Sequence, residues 1–408
     1  MGQWRGYPDG VRTTSDRQAI LDADGLAAAL IERDPTGRAR RDDVRVVRAP
    51  GRVNLIGEHT DYNEGFVLPA AIDLEIRIAY LAAGDGRVEL TRLDDNERDS
   101  FALTEERPRG GTWLDYVAGT AWALREAGLE PHGLRGVIAS NLPANAGLSS
   151  SAAIELASAW AMLGDAASAI DPLDLARICQ RAENGYVGVQ SGLMDQFAEA
   201  CGTAGAALEL DCGSLDWRPV PLPDGLELVV CHTGSARRLD GSAYNERRAQ
   251  CDAAVAVLRH ADPSIRSLRD ATLEQIAAAG DALDPVLRRR ATHIVTENVR
   301  VAETVAALEA DDRTALGRLF AAGHASLRDD FEISSPELDA MVEIAVGVPG
   351  VVAARMTGGG FGGCTVNLVE PGGAETLRTA VLADYRARTG LRPMVLPVKA
   401  APGAGQLA

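Results

Sequence analysis

Strand-like and helix-like runs alternate on both sides of a proline-rich connection, Pro219 to Pro223, and this alternation narrows the possible folds most. Val44-Arg45-Val46-Val47 reads as a strand running into Ala49-Pro50-Gly51, where a turn is expected. Residues 72–81 alternate in polarity as a second strand does, and Val88-Glu89-Leu90 extends the pattern. Short strands are also expected at 136–140, 206–211, 226–231, 351–355 and 365–369. Helical patterning covers 16–33, with Asp34-Pro35-Thr36-Gly37 as its stop, and 113–127, with Trp113, Val117, Ala121 and Leu124 on one face. The chain is helix-rich from 151 to Cys201, and long alanine-rich helical stretches follow at 243–260, 273–280, 285–309 and 313–325. A chain of 408 residues is long for one core. The expectation is two α/β or α+β domains, residues 1–218 and 219–408, with a cleft between them.

Composition removes several function classes. The formal net charge of −17 argues against a nucleic-acid partner, which needs a basic face. Any site for an anionic nucleotide must then be built locally, from backbone N–H groups, helix N-termini, a few arginines and a cation. Of the 41 basic residues only Lys399 is a lysine, and it stands in no GxxxxGK[ST] motif. P-loop NTPases, protein kinases and pyridoxal enzymes each need a lysine in a defined context, so the chain belongs to none of them. No apolar run approaches the ~18–20 residues of a membrane span, and no apolar stretch follows Met1-Gly2-Gln3-Trp4-Arg5-Gly6 as in a secretory signal. The six cysteines form no CxxC pair, which suits a reducing compartment and gives no metal site. A cytoplasmic protein without membrane or nucleic-acid partners is expected.

Four segments are candidates to carry chemistry. In residues 49–73, Arg52 precedes an apolar stretch and then Glu58-His59-Thr60-Asp61-Tyr62. Two carboxylates, an imidazole and a phenol so close together suit a loop, where carboxylates can accept bonds from sugar hydroxyls and an arginine can stabilise phosphoryl charge. For any one of these residues a solvated turn reads the same way. Residues 142–153 (LPANAGLSSSAA) place small residues ahead of a helix, so that free N–H groups and the helix dipole can meet an anion; a plain serine cap is the simpler reading. Asp195 sits among apolar neighbours in Gly192-Leu193-Met194-Asp195-Gln196-Phe197, with Glu183 upstream, and must be paired, functional or a helix cap. Gly358 to Gly363 hold five glycines in six positions, but no helix with an acidic residue follows as a dinucleotide site requires.

Taken together these segments resemble the GHMP kinases, the superfamily named for galactokinase, homoserine kinase, mevalonate kinase and phosphomevalonate kinase. GRVNLIGEHTDYN, GLMDQF and RMTGGGFGGCTV resemble galactokinase-family segments, and GLSSSAA resembles the superfamily's phosphate loop; the resemblance spans residues 44–370. It implies a two-domain α+β fold with the active site in the interdomain cleft, and transfer of the ATP γ-phosphate to the anomeric hydroxyl of galactose. It implies Arg52 as the residue that steadies the phosphoryl group and Asp195 as the base. Glu58, His59, Thr60, Asp61, Gly192 and Tyr244 would hold the sugar. Asn145, Ala146, Gly147, Leu148, Ser149, Ser150 and Ser151 would wrap the ATP phosphates, and Ser151 and Glu183 would hold Mg²⁺. A monomer is expected. Asn145 stands where the family loop usually has glycine, and asparagine is the other residue that readily enters the left-handed region. The alternatives are a kinase for N-acetylgalactosamine or arabinose, and a sugar- and ATP-binding regulator without catalysis. Ser151-Ala152-Ala153 after the serine run favour the enzyme.

Overall fold

Ala49-Pro50-Gly51 does not turn the chain. A single strand runs from Arg45 to Asn54 in the computed structural model, which describes residues 22–34, 37, 39–105, 107–143, 146–235 and 242–407 (of Ser242, the backbone only). Gly51 serves close approach instead: a Cβ there would come within 2.6 Å of the Leu148 carbonyl oxygen. The next residue, Arg52, donates its backbone N–H to that same oxygen at 3.2 Å. The helix expected over 16–33 is described from Ala23 to Glu32, capped by Asp22. Its residues 16–21, the Pro35-Thr36 stop and Asn145 lie outside the described residues.

The domain boundary also falls elsewhere than expected. The chain forms two compact units that interleave in sequence, one ending at Arg52 and resuming over Ala71–Gly202 and from Ala401, the other holding Val53–Ala70 and Thr203–Ala400. Pro219–Pro223 is no linker. Trp217–Pro221 is a strand paired antiparallel with Ala206–Asp211, from Ala206 opposite Pro221 to Leu210 opposite Trp217. It stands at the edge of its sheet, where proline's missing N–H costs no ladder bond.

The first unit is built on a six-stranded mixed sheet in the order Gly405–Gln406, Arg45–Asn54, Pro69–Ala83, Gly133–Ser140, Arg87–Arg92, Arg98–Ala102. Leu26, Ala27 and Leu30 of the helix Ala23–Glu32 pack on Val46, Ala79, Val137 and Ala139 of this sheet. Helices Leu114–Glu126, Ser150–Leu163, Pro172–Arg181 and Met194–Cys201 pack on one another. This bundle carries both the serine loop and Asp195.

The second unit holds a four-stranded antiparallel sheet, Val351–Thr357, Cys364–Val369, Glu227–His232, Met394–Val398, and the three-stranded sheet Phe66–Val67, Ala206–Asp211, Trp217–Pro221. Two helices that the sequence reading did not single out, Pro336–Val346 and Gly373–Thr389, cover the larger sheet through Met341, Ala345, Leu377, Val381 and Tyr385. The glycine cluster is a tight loop between two strands of that sheet. At Gly360, φ is +78° and a Cβ would lie 2.4 Å from the Ile333 oxygen, so only glycine fits. Among the described residues no helix is long and apolar enough to cross a membrane.

Candidate active site

In the first unit the strand Arg45–Asn54 delivers Arg52, and the first turn of helix Met194–Cys201 delivers Asp195. They meet as a two-pronged ion pair: Nε donates to Oδ1 and Nη2 to Oδ2, each at 2.7 Å. The third prong, Nη1, donates to the Gly147 carbonyl at 2.7 Å. Arg52 is 3% exposed, so its charge is desolvated and fixed in direction. One side chain thus ties Asp195 to the loop ahead of the serine-rich helix.

That helix, Ser150–Leu163, begins without a side-chain cap. Ser149 holds the cap position in the left-handed region (φ 62°, ψ 43°), and its side chain makes no capping bond. Such a conformation costs a serine of order 1 kcal/mol or more and is found where the surroundings impose it. The first-turn N–H groups are therefore left for another acceptor, and an anion fits them. Ala146 and Leu148 are buried and anchor the loop.

Behind the loop lie buried carboxyl groups. Glu183 stands in a π-helical turn, Ala182–Val187, and its Oε2 accepts from Ser191 Oγ at 2.5 Å and Gln196 Nε2 at 2.9 Å. Burial pushes this carboxyl up, while bonds from Ser191, Gln196 and Ser151 pull it back. Ser151 and Glu183, which the resemblance pairs, thus lie within hydrogen-bond reach of each other. A hydroxyl and a carboxylate are hard oxygen donors and fit Mg²⁺. Among the described residues no group of three or more His, Cys, Asp or Glu side chains could hold a metal. Burial also pushes Glu155 and Glu199 well above the usual carboxylate range. Gly192 lies buried in the segment leading into Asp195's helix.

In the second unit the Glu58–Tyr62 loop is held from below. Arg355, from strand Val351–Thr357, places Nη2 on Glu58 Oε2 at 2.5 Å and on Glu297 Oε1 at 2.7 Å. Glu297 Oε1 also accepts the Gly57 N–H at 3.0 Å, and its Oε2 accepts from Arg300 at 2.6 Å. Burial pushes the Glu58 carboxyl up to about 7; Arg355 opposes this and the charge of Glu297 adds to it. Glu297 goes the other way: against its burial, Arg355 and Arg300 hold it well below the ordinary value. His59 (φ 64°) lies among Tyr62, Tyr244 and Phe331, with ring centroids at 5.7, 5.1 and 4.9 Å. Its Nδ1 is 2.8 Å from the Tyr62 hydroxyl. The Thr60 hydroxyl faces the carbonyls of Gly57 and Phe66 at 2.8 and 2.6 Å, which closes the loop on itself. Asp61 is half-buried and accepts the Tyr62 N–H at 3.0 Å.

Glu155, Gln196, Glu297 and Arg355 received no role from sequence. The signal that marked Asp195 also marks Glu155, a lone carboxylate within the apolar run IELASAWAML. Glu297 sits in a helix face with polar residues on either side, and no such contrast betrays it.

Residues 37–81 match the family model described as the galactokinase galactose-binding signature. Residues 115–203 match the N-terminal domain of GHMP kinases, and 304–387 the C-terminal domain. Galactokinase from Roseiflexus sp. (strain RS-1) is 45% identical over 362 residues, 89% of this chain and 93% of its own. Galactokinase from Chloroflexus aggregans is 43% identical, covering 86% and 91%. The crystal structure of Lactococcus lactis galactokinase complexed with galactose superposes with TM-score 0.88 at 36% identity, covering 93% of this chain and 99% of that one. A mevalonate kinase crystal structure, at 18% identity and TM-score 0.60, shares the fold. The matches to both GHMP domains define the chain as a GHMP kinase. Within that class the chain belongs to the galactokinase family of ATP-dependent sugar kinases.

Proposed function

We propose that the chain transfers the γ-phosphate of ATP to the anomeric hydroxyl of galactose, giving ADP and galactose 1-phosphate. The observation that carries this is the Arg52–Asp195 pair tied to Gly147: one guanidinium joins a carboxylate base to a phosphate loop. Asp195 accepts the proton of the sugar hydroxyl as the new O–P bond forms. Arg52 steadies charge on the phosphoryl oxygens, and the loop 145–151 presents backbone N–H groups to the nucleotide. Ser151 and Glu183 would hold Mg²⁺, which when bound neutralises phosphate charge. Glu58, Asp61, Tyr244 and the Gly192 backbone hold sugar hydroxyls. His59 and Thr60, whose polar atoms face the protein's own groups, keep that loop in shape. Phosphoryl transfer asks mainly for such positioning. The net charge of −17 and a sequence with no CxxC motif support a cytoplasmic protein without nucleic-acid partners, and we take it to be a monomer.

The decisive assay offers γ-labelled ATP with galactose, N-acetylgalactosamine and arabinose in parallel. Label should pass to galactose at the highest kcat/KM. Preference for another sugar moves the assignment to that kinase, and binding without transfer makes the chain a regulator. A second expected result concerns the loop. Asp61→Asn should weaken galactose binding by about 1–3 kcal/mol, from a hydroxyl left mispaired, while ATP affinity holds. Calorimetry showing ATP affinity falling instead would assign the segment to the nucleotide.

A further inference from the structure

Gln196 follows the proposed base in sequence and is completely buried, on the helix Met194–Cys201. Its Nε2 carries two hydrogens, and both find carboxylates: Glu155 Oε2 at 3.0 Å and Glu183 Oε2 at 2.9 Å. Glu155 is itself fully buried, on the helix Ser150–Leu163 that starts from the serine loop. The bonds to Glu183 from Gln196 and Ser191 both fall on Oε2, and neither uses Oε1. A glutamate side chain has three rotatable bonds, and in a π-helical turn nothing regular fixes its direction. Ser191 and Gln196 fix it together, and Gln196 does so from the helix that carries Asp195.

We infer that Gln196 is a positioning residue, with Glu155 as its anchor, that orients the Glu183 carboxylate toward a divalent cation and holds it in register with Asp195. This rests on the reading of Glu183 as a metal-holding group. The amide suits the task because it is always neutral and donates to two carboxylates at once, where a cation would compete with the metal for Glu183's charge. Partners that orient a metal ligand are worth about 10- to 100-fold in metal affinity.

Gln196→Met keeps the side chain's size and removes both donors. Mn²⁺ serves as the probe, with free ion counted by electron paramagnetic resonance in the presence of ADP. The parent protein should bind Mn²⁺ with ADP; if it does not, the metal-dependent kinase reading fails together with this inference. Given that binding, Gln196→Met should raise the Mn²⁺ dissociation constant about tenfold or more. Galactose affinity should stay within twofold, and kcat should recover at high Mg²⁺. A melting temperature that falls while Mn²⁺ affinity stays within twofold makes Gln196 a structural residue and overturns the proposal, as does an equal loss of galactose and metal affinity. Should Gln196→Met not fold, Gln196→Asn, which retracts the amide by one methylene, is read against the same criteria.

Discussion

Asp195→Asn is expected to lower kcat by about 10²- to 10⁴-fold, the usual contribution of a positioned general base. Galactose and ATP affinity should change only a few-fold. Asparagine has the size of aspartate and can still accept one of the two bonds from Arg52, so the geometry of the strand end and of the loop survives. What is lost is the acceptor for a proton. The bond from Arg52 to Gly147 is untouched, and the phosphate loop keeps its anchor. Arg52→Lys probes the opposite end. Lysine offers no planar fork, so the pair of 2.7 Å bonds to Asp195 and the third to Gly147 cannot all form, and both loop and base lose their alignment. Steady-state kinetics with melting curves on both variants separate chemistry from folding. If Asp195→Asn kept more than a tenth of the parent kcat, Asp195 would be a tether for Arg52 and the base assignment would be wrong.

The segments of this site could be singled out from residues alone because they are locally unusual, while the roles of their residues came from the resemblance to the GHMP kinases. A serine run ahead of an apolar helix, or an aspartate inside LMDQF, stands out from its neighbours, although a helix cap would account for either one locally. Helices were legible where polarity was periodic, as over Pro285–Glu309, whose ends the sequence placed at 285 and 309. The misses share a cause, which is that partners distant in sequence decide the outcome. Pro50-Gly51 reads as a turn until Leu148 packs against it, and Pro219 and Pro221 read as a linker until Ala206–Asp211 pairs with them. The same holds for the interleaved units, since no local signal marks the chain crossing from one to the other at Arg52, Ala71, Gly202 and Ala401. Arg355 and Glu297 escaped because an arginine in VVAARM and a glutamate in a long polar helix are unremarkable until they meet.

Their meeting gives the second large expectation, that Arg355→Met destabilises the protein by about 3–5 kcal/mol, the cost of leaving buried charge without its partner. Arg355 has no exposed surface, and its Nη2 is shared by Glu58 and Glu297. With the guanidinium gone, the two carboxyls face each other with only Arg300 on the far side of Glu297. Protonation is the relief open to them. Burial and the charge of Glu297 already raise Glu58 from an ordinary 4.5 to about 7, against the pull of Arg355. Removing that pull raises it further and raises Glu297 with it. A carboxyl whose folded pKa exceeds its unfolded one contributes stability that is complete below the unfolded value and is lost as pH rises through the folded one. The deficit of Arg355→Met should therefore be smaller near pH 5 than near pH 8, measured as the shift in denaturant midpoint at each pH. A deficit that is flat, or larger in acid, would mean that the arginine matters for packing over Gly323 rather than for charge. Adding Glu297→Gln to Arg355→Met removes one of the stranded charges and should return part of the stability at pH 8. If Glu58 holds the sugar as proposed, galactose affinity should not return, because that side chain then has no guanidinium to keep it in place.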